Sequence, residues 1–416
     1  MRKYNCILLI TIYFLFMINY NVIISKYFNY LGFNQNFFSL YKLVLATVFT
    51  LEFILLYVFL KKEFYKIVYT VFLVSIFYGQ SIYYIFNESK FILLVYMGIP
   101  LIVIFIIEKL DTARTNSDIK LKLSDKFTLF IFILLVLTLI VPYFKYYKLI
   151  NWKNLLLQDV YETRFIFREY SSGILGYLFS PISRVILPFL LVYSLENKKR
   201  MVTIVSTISI IMMYLLNGAL KSIIFGFLAC IFFYKGDYAQ KESRFLKTMV
   251  IGNLLCLLEV VINKTWLIAD YMRRLFFVPA RLFQVYYDYF NERHTYFLHS
   301  KLSKILGINA YEGSLSLFVG EQVLDVKGLN ANTGIFCEGF ISFGTVGVII
   351  AAMIFGLIIL YLNRRKLSPS YFGIFFSFIY VINTSFLETL FITHGLLFYL
   401  IFAKFIIPKE INVTKS

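Results

Sequence analysis

Two groups of arginines stand out by spacing in a chain whose charge is otherwise sparse. Arg164 and Arg168, in YETRFIFRE, lie four residues apart and so share one face of a helix. Arg273 and Arg274 open the stretch DYMRRLFFVPARLFQVYYDYFNERHTYFLHS, which also holds Arg281, Arg293, His294 and His299. A guanidinium forks its donors toward an oxyanion, so arginines gathered this way suit a phosphate. Pro279 suits the first turn of a helix. From there Arg281, Asp288 and Glu292 fall at spacings of seven and four and line one stripe. Phe283, Tyr286, Tyr287, Tyr289 and Phe290 line the other. Rings beside acids and arginines fit a sugar site, the rings covering apolar sugar faces and the polar groups taking hydroxyls. His294 and His299 are candidate general bases near neutral pH, with Asp288 and Glu292 as rivals. The competing reading of both arginine groups is an interfacial amphipathic helix whose cations touch lipid headgroups.

Further charge sits inside apolar runs, where it is costly and defaults to a paired or functional role: Glu52, Arg184, Lys221, Glu259 and Glu388. Lys221, in NGALKS, lies near a helix start and can snorkel. Arg184 lies between Pro181 and Pro188 in a helix expected to kink. In NANTG, Asn330 and Asn332 are placed to cap the next membrane helix, whose free amide groups then attract an anion. The three histidines lack metal-ligand spacing, so no metal is expected. There is no P-loop or GxGxxG, so neither ATP-driven transport nor any other cofactor is expected. No D-x-D pair stands on an outer loop to bind a metal-bound nucleotide sugar.

The elements that position these residues are membrane helices. The chain is 60% hydrophobic and 20% aromatic over 416 residues, more apolar surface than a soluble domain can bury. A net charge of +18 then reads as cationic loops facing anionic lipid, with no nucleic-acid partner. Twelve apolar windows are long enough to cross a bilayer, near 6–24, 40–60, 65–86, 91–107, 127–144, 173–195, 201–217, 219–234, 248–268, 334–361, 370–388 and 390–407. The predicted fold is a single all-α polytopic membrane domain over 1–416, with about twelve transmembrane helices. With both termini in the cytoplasm, the loops at 61–66, 108–126, 197–200, 235–247 and 363–366 fall inside, and all are basic. Two long loops, 145–172 and 269–333, then fall outside and carry arginines that the positive-inside rule disfavours there; the second holds the amphipathic helix. Long loops do translocate regardless of charge, but an outer-face anion site also accounts for these cations. Cys6, Cys230, Cys256 and Cys337 lack paired spacing and read as buried thiols.

From about 155 to 400 the chain resembles the O-antigen polymerase family, the oligosaccharide repeat-unit polymerases. DVYETR and SSGILGYLFSPISRVILP resemble its Y-x-x-R segment and following helix, and NGALKSIIF its G-x-K-S segment. RRLFFVPA and YYDYF resemble its R-R-x-F-x-x-P-A and Y-Y-x-x-F block. NANTGIFCEGFISFGTVGV resembles its N-A-N-x-G pattern, with Glu338 where aspartate is more usual, and THGL its late T-x-G-L segment. The resemblance implies a metal-independent glycosyl transfer between two undecaprenyl-pyrophosphate-linked oligosaccharides at the outer face of the bacterial plasma (inner) membrane. The product would be O-antigen, lipopolysaccharide or capsule glycan, with a chain-length regulator and a flippase as partners. On that reading Arg164, Arg168, Lys221, Arg273, Arg274 and Arg281 hold pyrophosphate. His294, Asp288 or Glu338 orients or deprotonates the acceptor, and Asn330 and Asn332 shape the site. The alternatives are a flippase for the same lipid-linked units and the related O-antigen ligase.

Overall fold

The computed structural model describes residues 2–112, 144, 146–156, 159–170, 179–218, 220–262, 267–308, 311 and 314–408. The protein is an all-α multi-pass membrane protein. Among the described residues eight helices are long and apolar enough to cross a bilayer: Lys3–Tyr27, Leu40–Phe59, Glu63–Phe86, Phe91–Leu110, Phe179–Glu196, Arg200–Asn217, Tyr238–Ile262 and Ile335–Arg365. The windows at 219–234, 370–388 and 390–407 appear as the shorter apolar helices Ile223–Phe233, Pro369–Ile382 and Leu396–Phe405. The window at 127–144, and most of the basic loop before it, fall outside the described residues. The outward surfaces explain why these are membrane helices. On Leu40–Phe59 the exposed residues include Leu40, Val44, Val48, Leu51, Leu55 and Val58, an aliphatic stripe at helical spacing with Glu52 exposed beside it. Ile251, Leu254, Leu255, Leu258 and Val261 repeat this on Tyr238–Ile262.

The chain divides into two compact units: Met1–Thr112, Tyr238–Tyr361 and Ile379–Leu387 form one, and Ala113–Asp237, Leu362–Phe378 and Glu388–Ser416 the other. In the first unit the helices alternate in direction, and each end is tied by polar contacts. At one end Glu108 accepts the Lys61 and Lys62 backbone N–H groups (2.9 and 3.0 Å), capping the start of Glu63–Phe86. Lys62 and Lys109 pair there with Asp111 and Glu108 (2.9 and 3.0 Å). At the other end Asn87 fastens the 28–39 loop. Its carbonyl side-chain oxygen accepts the Asn34 N–H (3.2 Å), and its amide donates to the Tyr20 hydroxyl (2.5 Å). Between the ends, Asn19 donates to Asn253 (2.8 Å), joining Lys3–Tyr27 to Tyr238–Ile262 where apolar packing alone gives little specificity.

Ile335–Arg365 is not one span. Phe343 (φ −143°, ψ 24°) and Gly344 (φ 60°, ψ −141°) leave the helical region, and Gly344 takes a conformation only glycine adopts readily. Gly339 and Gly347 touch backbone to backbone, so a Cβ on either would collide with the other's carbonyl. Eight residues along a straight helix are about 12 Å apart, so that contact requires the chain to fold back. The rings of Phe336 and Phe355 lie 6.1 Å apart and both meet Phe72 (5.6 and 5.5 Å), as an antiparallel hairpin requires. The segment is thus a short arm over 335–342 and a span over 345–365, the span being about 31 Å long at 1.5 Å per residue. The carbonyls of Ile341 and Ser342 at the arm's end accept the Thr295 and Tyr296 N–H groups (2.9 and 3.2 Å). Gly347→Val is expected to lower stability by at least about 2 kcal/mol through forced separation of the two arms. Ile350→Leu, on the exposed face, should be close to neutral. Thermal unfolding of the purified variants measures both.

Candidate functional site

The second arginine group is held at the end of the first unit that carries the 28–39 loop. Leu267–Met272, a widened turn over Arg273–Phe277 and Val278–Phe290 run on from one another. The backbone N–H groups of Leu267 and Ile268 donate to Glu259 (both 2.8 Å), which caps the start of this run. Asp270 takes Arg273 (2.5 Å) one turn on and Arg274 (2.6 Å) beside it. Arg273 is buried, its guanidinium 4.8 Å from the Phe28 ring and 5.7 Å from the Phe33 ring.

Arg281 differs from both. It is half-buried, and among the described residues no carboxylate or other acceptor takes a hydrogen bond from it. Its guanidinium lies 5.7 Å from the same Phe33 ring and rests on Gly32. A Cβ at Gly32 would sit 2.7 Å from Arg281 Nε, and Gly32 has φ 79°. Glycine is therefore required twice over, by the turn and by the cation. Burial pulls the Arg281 pKa below the usual guanidinium value, with the Arg273 charge acting in the same direction and Tyr83 and Tyr20 opposing. Two of the three guanidiniums here share the carboxylate of Asp270, and the one facing Gly32 is left over. Such a group attracts an anion.

Asp288 lies two turns beyond Arg281 on the same face and is exposed. Gln284 holds it, donating from Nε2 to Asp288 Oδ1 (2.7 Å) while its Oε1 accepts the Lys90 N–H (3.0 Å). The opposite face is occupied. Phe283 and Tyr287 pack on Phe340 of the re-entrant arm (6.2 and 5.0 Å) and Tyr289 on Phe318 (5.8 Å); Tyr286 donates to the Ala331 carbonyl (2.9 Å). The aromatic stripe expected to cover sugar faces is spent on packing, because the loop over 311–331 and the arm both need a partner. Sugar stacking is therefore not assigned to Phe283, Tyr286 or Phe290, all fully or nearly buried.

The histidines separate. His299 Nε2 lies 3.4 Å from Glu338 Oε1 and its Nδ1 2.8 Å from the Thr295 hydroxyl. Glu338 Oε2 accepts the Leu387 N–H (2.5 Å), and both side chains are almost wholly buried. Glu338 is thus a brace between the arm and the break after Ile382, without an oxygen open to substrate. His294 packs on the elbow at Gly344 and against Phe340 (5.8 Å), with Nδ1 buried and unbonded. Glu292, Asn330 and Asn332 are exposed; Asn330 Oδ1 accepts the Ser316 hydroxyl (3.4 Å). Arg293 lies over Tyr289 (5.8 Å).

Arg164 and Arg168 belong to the other unit, on the helix Val160–Tyr170, as does Lys221 at the start of Leu220–Phe233. Arg164 is exposed; the side chains of Arg168 and Lys221 lie outside the described residues. Among the described residues no cluster of three or more His, Cys, Asp or Glu could hold a metal. Sequence reasoning assigns no role to Gly32, Phe28 and Phe33; the aromatic-glycine run FNYLGF is the one local signal of them. Comparison with known proteins adds nothing to this geometry: no family model, curated protein or solved structure matches the chain.

Gly32→Val is expected to displace Arg281 and strain the turn, while Glu338→Ala orphans the Leu387 N–H and costs about 1–3 kcal/mol. Both should lower the melting temperature, and only the first should weaken binding of an added anion such as inorganic pyrophosphate. Paired titration and unfolding measurements check this.

Proposed function

We propose that the protein is a polymerase of undecaprenyl-pyrophosphate-linked oligosaccharides, acting at the outer face of the bacterial plasma membrane. The observation that carries this reading is Arg281, half-buried against Gly32 and Phe33 without a counter-ion among the described residues. The sequence resemblance supplies the substrate class, and the site supplies groups suited to it. Arg281, backed by Arg273, grips the donor diphosphate. Asp288, held by Gln284, takes the proton from the acceptor hydroxyl as its oxygen bonds to the anomeric carbon. The bond from that carbon to the phosphate oxygen breaks, and the electron pair leaves with undecaprenyl pyrophosphate. Seven residues of helix separate Arg281 from Asp288, about 10 Å of rise, room for a sugar between them. Preorganised guanidiniums stabilise the charge that develops on such a leaving group. In this reading the end bearing the 28–39 loop faces outward and the paired lysines at the other end face the cytoplasm.

A flippase for the same units is the second reading. The re-entrant arm and the break after Ile382 favour it, because interrupted helices often line transport sites. The glycan ladder of a deletion strain separates the readings. Single repeat units on the acceptor lipid mark a polymerase, trapped inner-leaflet units a flippase, and accumulated long lipid-linked chains a ligase. In the complemented strain, Arg281→Ala should cut chain extension by about 100-fold or more, and Arg281→Lys should not restore it. Asp288→Asn should lose about 100-fold or more while substrate still binds. A full-length ladder from inserted Arg281→Ala protein contradicts the assignment.

A further inference from the structure

A second arginine lacks a counter-ion among the described residues, and it lies in the other unit. Arg184 sits in the helix Phe179–Glu196, twelve residues before Glu196 and about 18 Å along the axis from it. Its Nη1 is buried with no hydrogen-bond partner. The hydroxyl of Ser180, one turn earlier on the same face, is also buried with no partner. Two orphaned donors thus point from one helical face, in a setting where each should be satisfied. The charge that bears on Arg184 is another cation, Arg164, from the helix Val160–Tyr170. No described carboxylate pairs with Arg184. The backbone is opened at the same place: Pro188 has no N–H for the Arg184 carbonyl, and Ile182–Ile186 widens into a π turn. A buried guanidinium with a second guanidinium near it and a spare hydroxyl beneath it is matched by a tetrahedral oxyanion.

We propose that Ser180, Arg184 and Arg164 form a second anion site, for a phosphate or diphosphate carried on a membrane lipid. Arg184 would fork onto two oxygens, Ser180 would donate to a third, and exposed Arg164 would close the rim. The proposal uses no residue of the Arg281 site; it meets the polymerase reading at Arg164, to which the resemblance gives a pyrophosphate, but any lipid phosphate satisfies it.

The test uses the full chain purified in zwitterionic detergent, in an Arg281→Leu background that removes the other cluster's contribution. Thermal unfolding is followed as phosphatidylglycerol or inorganic pyrophosphate is added. Arg184→Leu should weaken the stabilising anion by about tenfold or more, and Ser180→Ala by about threefold. Loss confined to phosphatidylglycerol marks a lipid headgroup as the ligand, and loss confined to pyrophosphate marks the diphosphate; either supports the site. If Arg184→Leu does not fold, Arg184→Lys and Ser180→Ala decide it, both weakened in support and both unchanged against. Identical titrations in all folded variants overturn the proposal.

Discussion

The fold-back at Phe343 and Gly344 sets the rest of the first unit. The last carbonyls of a half-helix have no partner within the helix, and here they are docked on protein. Thr295 and Tyr296 do this with backbone N–H groups, which fixes the chain just after Val278–Phe290. The arm then presents Phe340 to Phe283, Tyr287 and Tyr96. At 100° per residue, Phe283 and Tyr287 lie about 160° and about 120° around the helix from Arg281. Packing that side on Phe340 therefore turns Arg281 away from it, toward Gly32. The bond from Leu387 to Glu338, with His299 beside it, ties the same arm to the chain after Ile382.

The two ends of that unit treat charge differently. At one, Lys62 and Lys109 have carboxylate partners, and Glu108 also serves two backbone donors. At the other, Asp270 is divided between two arginines while Arg281 rests on a glycine and a ring. A cation removed from water without a counter-ion is unfavourable unless something outside the protein completes it. Placing the gap on Gly32 keeps the guanidinium reachable, because any side chain there would crowd it.

The sequence makes the membrane class and most spans readable, since 18-residue apolar runs and exposed aliphatic stripes follow from bilayer thickness alone. It also draws attention to the arginines, which are conspicuous against that background. The hairpin is harder to see. The window at 334–361 is longer than a crossing needs and holds Gly339, Gly344 and Gly347, a composition that marks an interruption; neither signal says that the arms lie side by side. The partnership of His299 with Glu338 joins positions far apart in the chain and has no local trace, so His294 and Glu338 looked equally available. The 28–39 loop was passed over because its contribution is the absence of a side chain at Gly32. Nothing in the spacing of the aromatic stripe tells packing rings from open ones.

The account rests on an unmatched guanidinium waiting for a lipid-borne diphosphate. The most direct measurement is a cryo-electron microscopy map of the protein in nanodiscs with a lipid diphosphate bound. It should place phosphate oxygens within about 3 Å of the Arg281 guanidinium, alongside Gly32 and Phe33. Density bound elsewhere, with Arg281 paired to one of the protein's own carboxylates, would contradict it.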